Sequence, residues 1–290
     1  MNTDYNSLLY LYMKIQWNNI GNVDFEKLDT YKKQFHSVVR LIAIVEKGIT
    51  DCDPNSIMLT WLPEFNAVST HKCDSSGHSF KLAVVPEDLT LLLIRDNQSI
   101  ENSLSLDGVS QREAYEWIKS EINLVGIDNR NLSEDLPFND ESFNIDPDLV
   151  YEIESKDSGL ELTKYYSNAF ELLNHFKNKR DHTTELLISP LYLNLETSFP
   201  IHKNSESNLS IGFSPGDKFE SEPYFYVSRP SSEEVLNNKL LPLNGANWVK
   251  EEAWFGCKYS AKVFSRTESQ LEICKDFLHD GQGYIKAISA

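Results

Sequence analysis

Four short runs rich in β-branched and aromatic residues follow one another between residues 57 and 95, and they constrain the fold more than any other feature of the chain. The runs cover residues 57–62, 65–70, 80–85 and 89–95. Turn sequences such as Pro63-Glu64 and Pro86-Glu87-Asp88 separate them. These connections are too short for the crossover that two parallel strands need. The sequence therefore predicts an antiparallel meander.

Amphipathic helices are predicted on both sides of this meander. Apolar residues recur every three or four positions between residues 25 and 45, and Gly48 is expected to end that helix. Ser110 and Glu113 have the spacing of a capping box, in which each side chain satisfies a backbone donor of the other residue. A second helix is therefore predicted behind Ser110, ending at Gly126.

The same order returns in outline in the C-terminal part of the chain. A helical stripe covers residues 162–176, and a second capping box, Thr267 to Gln270, predicts a closing helix. Residues 254–264 are ambiguous between strand and helix. Strands are predicted between the two helices at residues 191–195, 209–213 and 224–228.

These patterns predict an α+β fold made of two helix, antiparallel-sheet, helix halves. The N-terminal half covers residues 1–127 and the C-terminal half covers residues 149–290. The acidic segment between them, residues 128–148, is expected to be a solvated connection that Pro137-Phe138 pins to the body. The halves share a layout without residue-level identity, so a degenerate tandem arrangement and packing as one globular unit both stay open.

The charge balance restricts the classes of partner. The chain has 27 Lys and Arg against 44 Asp and Glu, a formal charge of −17, and such a field repels nucleic-acid phosphates and anionic lipid headgroups. We therefore expect neither nucleic acid nor a membrane as a partner. A small molecule or another protein remains a possible partner.

The cellular compartment is predicted from the N-terminal segment, the length of the apolar runs and the cysteines. Residues 1–17 carry no basic leader and no small-residue cleavage site, so no signal peptide is expected. The longest apolar runs fall short of the roughly 18 residues that span a bilayer. We expect a cytoplasmic protein in which four cysteines are free thiols, namely Cys52, Cys73, Cys257 and Cys274.

Common catalytic and cofactor motifs are absent from the sequence. It contains no GxGxxG, Walker loop, HExxH, GxSxG or CxxC, so no cofactor is predicted. His71, Cys73 and His78 have metal-like spacing in a turn, but three such residues without a partner motif arise easily by chance. A polar surface turn is the favoured interpretation, and no metal site is predicted.

His36 is a first candidate functional residue. It follows Phe35 on the predicted first helix and could face a sheet-lined cavity as an acid, a base or a ligand contact. A hydrogen-bonded histidine at the edge of the core is the more common outcome for such a position.

Residues 211–226 are the most informative stretch. Pro215 and Gly216 favour a tight turn, and Glu222 precedes a strand on which Tyr224 and Tyr226 point to one face. One interpretation is a structural loop and strand. The other is the wall of a ligand-binding cleft, with two phenols and one carboxylate to orient a small molecule.

At this stretch the chain resembles a bacterial family, domain of unknown function 5996. The family's Gly-Phe, Pro-Gly, Glu-Pro and Phe-Tyr series is met by Gly212-Phe213, Pro215-Gly216, Glu222-Pro223 and Phe225-Tyr226. Further matches in the same order are Phe35-His36, Asn55, Pro137-Phe138 and Asp146-Pro147. The resemblance implies the two-part layout and makes Asn55 a further candidate ligand-binding residue.

The chain also departs from the pattern of this family. Where the family has a His and tryptophans after the Asn, this chain has Ser56, Ile57 and Met58, and Ser189-Pro190 replaces a Trp-Gly. The family has no assigned activity, so the resemblance implies layout rather than function.

Two functions are consistent with these features. The first is a non-catalytic, soluble binding or interaction protein with an aromatic-lined cleft, whose candidate ligand-binding residues are His36, Asn55, Glu222, Tyr224 and Tyr226. The second is a divergent enzyme in which His36 and Glu222 act as acid and base on a small molecule, with Tyr226 as a donor. Convergence of these three groups in one network around a cavity would favour the enzyme.

Overall fold

The computed structural model describes residues 15–289, except 22, 51–52, 76–77, 96–97, 127, 129, 131, 139–141, 203–204, 206, 219, 232–239, 241 and 252–253. None of the helices in these ranges combines the length and the hydropathy that crossing a membrane requires.

The N-terminal half consists of a long helix, six antiparallel strands and a closing helix. Helix α1 spans Phe25–Thr50 and helix α2 spans Gln111–Leu124. The strands between them are β1 (Thr60–Leu62), β2 (Ala67–Ser69), β3 (Cys73–Ser75), β4 (His78–Val85), β5 (Thr90–Arg95) and β6 (Ile100–Ser105). They form one sheet in the order β1-β2-β4-β5-β6, with β3 paired to β4. The predicted meander is confirmed.

The capping box before α2 is also confirmed. The Ser110 hydroxyl accepts from the Glu113 backbone N–H at 3.2 Å, and the Glu113 carboxylate accepts from the Ser110 N–H at 2.8 Å. The backbone N–H groups of Ser110 and Glu113, which have no partner within the helix, are thereby satisfied.

The acidic connection is more structured than its composition predicts. Its strands β7 (Asp135–Pro137) and β8 (Ser142–Asn144) form a hairpin. Leu136, Phe138 and Phe143 of this hairpin are buried in the core. The expectation of a solvated connection is therefore wrong, because three apolar side chains among many acids suffice to anchor the segment. Phe138 does pin the segment, as expected.

The C-terminal half repeats the helix, sheet, helix order. Helix α3 spans Lys156–Lys177, the short helix α4 spans Ala261–Phe264, and helix α5 spans Gln270–Ile288. The strands are β9 (Leu187–Ile188), β10 (Leu195–Pro200), β11 (Asn208–Ser214), β12 (Tyr224–Pro230), β13 (Asn247–Lys250) and β14 (Trp254–Ser260). Their order is β13-β14-β12-β11-β10-β9, with all neighbours antiparallel.

The two sheets meet edge to edge at one pair of residues. Leu59 and Ile188 exchange both backbone hydrogen bonds, each 2.8 Å long. Helix α1 packs on β4, α3 on β10 and β11, and α5 on β12 and β14. One continuous hydrophobic core contains residues of both halves, including Leu82 and Leu193.

The strand registers allow the central strands of the two halves to be aligned residue by residue. Ser69 pairs with Ala83 and Ala83 with Leu92, while Glu196 pairs with Gly212 and Gly212 with Tyr226. In each half the second of these strands runs into a turn that begins with proline and has an aspartate two positions later. The matched segments are Leu82-Ala83-Val84-Val85-Pro86-Glu87-Asp88 and Ile211-Gly212-Phe213-Ser214-Pro215-Gly216-Asp217.

Three predicted boundaries are wrong. Helix α1 continues through Gly48 to Thr50, whose hydroxyl donates to the Glu46 carbonyl at 2.6 Å. The closing helix begins at Gln270 without a side-chain cap, so Thr267 does not form the predicted capping box. Residues 191–194 form a turn instead of a strand, because Pro190 opens the turn and Leu193 adopts a positive φ of 61°.

Candidate functional site

Three predicted site residues lie together on the C-terminal sheet, on the face opposite the helices. Val227 of β12 lies against Gly281 of α5, on the face of the sheet that the helix covers. Successive side chains of a strand point to opposite faces, so Tyr224 and Tyr226 lie on the other face. Both tyrosines are buried, and their rings lie 6.0 Å apart. Glu222 precedes this strand.

Each tyrosine donates its phenolic proton to a carboxylate. The Tyr226 hydroxyl donates to Glu196 at 2.7 Å, and the Tyr224 hydroxyl donates to Asp217 at 2.6 Å. Burial, together with the neighbouring carboxylate, raises the pKa of both phenols. The two tyrosines are therefore hydrogen-bond donors that keep their protons, and neither is suited to act as a base.

Two ion pairs complete this tyrosine–carboxylate cluster. Lys258 lies 3.0 Å from Glu220, and Lys262 lies 3.2 Å from Glu222. Burial raises the pKa of Glu220, whereas a hydrogen bond with Glu220 lowers the pKa of Glu222. Every one of these charged groups has a partner within the cluster. The cluster thus satisfies its own hydrogen-bonding groups.

Four equivalent positions of the N-terminal half carry no ionisable side chain, whereas Asp88 matches Asp217. Glu196, Tyr224, Tyr226 and Lys258 correspond by register to Ser69, Thr90, Leu92 and Ser103. The same arrangement of strands therefore forms with small or apolar side chains at these four positions.

His36 and Asn55 lie elsewhere and have local partners. The His36 ring is 2.8 Å from the carbonyl oxygen of Pro190, and burial, with Arg40 nearby, lowers the pKa of His36 to about 3. Asn55 is exposed, and both its backbone and its side-chain amide donate to Asp53. Neither residue belongs to the tyrosine–carboxylate cluster.

The three groups of the enzyme hypothesis do not share a network. His36 contacts Pro190, Glu222 contacts Lys262, and Tyr226 contacts Glu196. An acid, a base and a donor must reach one substrate together, and these separate partners give them no common site.

A cleft of about 460 Å³ opens where the two halves meet. Beyond the Leu59–Ile188 pair, the described residues contain no further pairing between the two sheets, and residues 60–62 and 185–187 line the cleft beside that pair. We call this space the seam cleft. Its lining comprises residues 60–62, His71, Lys81, Phe170, Asn174, Lys177 and residues 185–187.

The seam cleft has a rigid aromatic wall. Trp61 is buried, and its ring stacks on Tyr166 of α3 at a centroid distance of 5.4 Å and an interplanar angle of 15°. Phe170 lies one helical turn further along α3. Leu62 and Leu186 add aliphatic surface. Glu222, Tyr224 and Tyr226 are not among the described residues that line it.

Three polar groups in this lining have no partner within the part of the chain that the structure describes. They are the buried indole Nε1–H of Trp61, the ammonium group of Lys81 and the side-chain amide of Asn174. Buried polar groups in folded proteins are nearly always hydrogen-bonded, so an unpaired indole N–H beside a cleft is an exception.

The remaining charges of the seam cleft are paired. Lys177 lies 2.7 Å from Glu185. Glu46, which is buried, accepts from the His71 backbone N–H at 2.9 Å and lies 3.0 Å from the ring Nδ1. That hydrogen bond raises the pKa of His71. The main contacts of His71 are therefore with Glu46 of α1. The described residues contain no metal-binding cluster. The side chain of His78 lies outside the described residues.

The cysteines have no catalytic setting. Cys73, Cys257 and Cys274 are buried free thiols, as expected, and Cys52 lies outside the described residues. Burial raises the pKa of Cys257 to about 12 and that of Cys274 well above its ordinary value. Neither thiol is therefore available as a thiolate nucleophile.

No protein-family model, no curated protein and no solved structure matches the chain. The resemblance to domain of unknown function 5996 stays a prediction, and the seam cleft has to be interpreted from its own chemistry.

Proposed function

We propose that this chain is a non-catalytic binding protein whose ligand, a small organic molecule, occupies the seam cleft. The observation that carries the proposal is the combination of a 460 Å³ cleft, an aromatic wall and unpartnered polar groups. Small-molecule sites commonly have about 300–1,000 Å³, mostly apolar walls and a few polar groups that orient the ligand.

The position between the halves supports this proposal. The lining combines β1 and Lys81 of the N-terminal half with α3 and residues 185–187 of the C-terminal half. Ligand sites occur preferentially at such junctions. The separate partners of His36, Glu222 and Tyr226 weigh against the enzyme hypothesis.

The proposal places the protein in the cytoplasm and excludes nucleic acid as its partner. Three buried free thiols are consistent with a reducing cytoplasm. A net charge of −17 repels the phosphates of nucleic acid from the surface as a whole.

Filling the seam cleft should abolish ligand binding without unfolding the protein. We expect Asn174→Trp to remove the increase in melting temperature that ligands give, because Asn174 lines the cleft. Its side chain on α3 is only half-buried, so a larger side chain can be accommodated there. A ligand at 100 times its Kd stabilises by about 2.7 kcal/mol. The measurement is a thermal-shift screen of small aromatic acids, amines and neutral compounds.

Asn178→Trp is the matched control. Asn178 is exposed at the C-cap of the same helix and does not line the cleft. It should keep every ligand response. Responses that survive Asn174→Trp, or a parent protein that responds to no compound class, would contradict the proposal.

A further inference from the structure

We infer that the ligand of the seam cleft is a monocarboxylate with an apolar body, whose carboxylate binds between Lys81 and His71 while the body packs on Trp61 and Phe170. This inference rests on the proposed function and specifies the chemistry of its ligand.

The charges of the seam cleft leave one uncompensated cation. Glu185 neutralises Lys177, and both oxygens of Glu46 are used by His71. Lys81 has no carboxylate within ion-pair distance among the described residues, although the chain has 44 acidic residues against 27 basic ones. A cationic ligand would find no free carboxylate here. An anion would find Lys81.

The unpartnered groups are mostly donors. The Lys81 ammonium has protons to donate and no lone pair to accept with, and the Asn174 amide can donate as well, whereas the Trp61 indole N–H is closed off from the solvent side of the cleft. The second ring nitrogen of His71, Nε2, also has no partner among the described residues. A carboxylate offers two oxygens and about four acceptor positions, which matches this set of donors.

The walls require an apolar body on the ligand. Phe170, which is half-buried, and the exposed edges of the otherwise buried Trp61, Leu62 and Leu186 would stay uncovered by a bare inorganic anion such as phosphate. Burying apolar surface contributes about 25 cal/mol per Å². An aromatic or branched aliphatic body would pack on Phe170 and on the edge of Trp61, whose position is fixed before binding by its stacking on Tyr166.

His71 makes binding depend on pH. The charged groups around it are Glu46 of α1, Lys81 of β4, and Lys177 with Glu185 across the cleft. Because Glu46 raises the pKa of His71, the imidazolium persists to a higher pH than usual and is lost as the pH rises through that pKa. Affinity for a carboxylate should therefore fall as the pH rises through this raised pKa.

The test uses three probes of equal shape and different charge. They are naphthalene-2-carboxylate, its methyl ester and 2-(aminomethyl)naphthalene, titrated by isothermal calorimetry into the full chain. We expect the carboxylate to bind at least about tenfold more tightly than the other two. Lys81→Gln should weaken carboxylate binding at least about tenfold and leave ester binding unchanged.

Matched variants separate a recognition role from a structural one. Lys72→Gln removes a cation that lines the neighbouring cleft and not the seam cleft, and it should leave carboxylate binding unchanged. His71→Gln should flatten the pH dependence. Glu46→Gln should move its midpoint to lower pH, because the carboxylate that stabilises the imidazolium is gone.

The outcomes distinguish the two proposals. Equal affinity for the three probes, with loss of all binding in Asn174→Trp, overturns the carboxylate inference and retains the seam cleft as a ligand site. Carboxylate binding that Lys81→Gln and His71→Gln leave intact also overturns the inference. Failure of all three probes to bind at millimolar concentration contradicts both.

Discussion

Replacing Gly159 by alanine is expected to lower the free energy of unfolding by about 3 kcal/mol. A Cβ atom at Gly159 would clash with the carbonyl oxygen of Glu87 and would lie 2.8 Å from the carbonyl carbon. It would also lie 2.5 Å from the Tyr31 hydroxyl, which donates to the carbonyl oxygens of Pro86 and Glu87. Backbone and a buried phenol cannot both move aside cheaply.

The effect is large because Gly159 joins three elements. It lies in the first turn of α3, against the β4–β5 turn of the other half and against Tyr31 of α1. Any shift that relieves the clash separates α3 from the N-terminal half, and α3 also carries one wall of the seam cleft. The intrinsic preference of helices for alanine over glycine, about 1 kcal/mol, is too small to compensate.

Gly283→Ala provides the control on a helix of the same protein. Gly283 is exposed on α5, and a Cβ there would meet nothing within 4 Å. This variant should be more stable than the parent by about 0.5–1 kcal/mol. Urea denaturation followed by circular dichroism measures both variants. A Gly159→Ala protein that unfolds at the urea concentration of the parent would show that the junction is not tightly packed.

The fold could be predicted from local patterns because those patterns agree with the tertiary structure. The helical stripe after Phe25 and the turn at Pro86-Glu87-Asp88 are each encoded within a few residues. The errors occur where distant contacts decide. Glu46 accepts from the His71 backbone N–H, a contact that supports α1 where it continues past Gly48. The Leu193 carbonyl accepts from the Tyr166 hydroxyl, 27 residues away, at 2.8 Å. This bond stabilises a turn in a segment whose alternating leucines predict a strand.

The candidate sites differ in the same way. Glu222, Tyr224 and Tyr226 lie within five consecutive positions, so the sequence alone could group them. The seam cleft joins Trp61 and Lys81 to Asn174, more than 90 residues away, and no motif spacing connects them. Its decisive signal is the lack of partners for Lys81 and the Asn174 amide among the described residues, which only side-chain positions can show.

The equivalence of the two halves rests on register and concerns how Tyr226 is packed. Tyr226 lies across Gly212, its partner on β11, and a Cβ at Gly212 would lie 2.8 Å from Tyr226 Cε1 and closer to Cζ and the hydroxyl. The equivalent pair in the N-terminal half is Ala83 and Leu92. In the C-terminal half a glycine thus leaves room for the tyrosine ring, and in the N-terminal half an alanine lies beside the shorter leucine.

A double-mutant cycle on this pair should therefore show strong coupling. Gly212→Ala alone should destabilise by about 2 kcal/mol through the clash with a buried ring. Tyr226→Leu alone should cost about 2 kcal/mol, because Glu196 loses its hydrogen-bond donor and the ring leaves a gap. The double variant recreates the Ala83–Leu92 pair, so its loss should be smaller than the sum by about 1 kcal/mol or more.

The measurement is the free energy of unfolding of the parent, both single variants and the double variant in urea. Combining Gly212→Ala with Tyr224→Leu is the control, since Tyr224 pairs with Ser214 and its removal leaves the Tyr226 ring over Gly212. Coupling in that pair should be clearly smaller. Effects of Gly212→Ala and Tyr226→Leu that add within about 0.5 kcal/mol would mean that the two halves share strand order without sharing the packing between their strands.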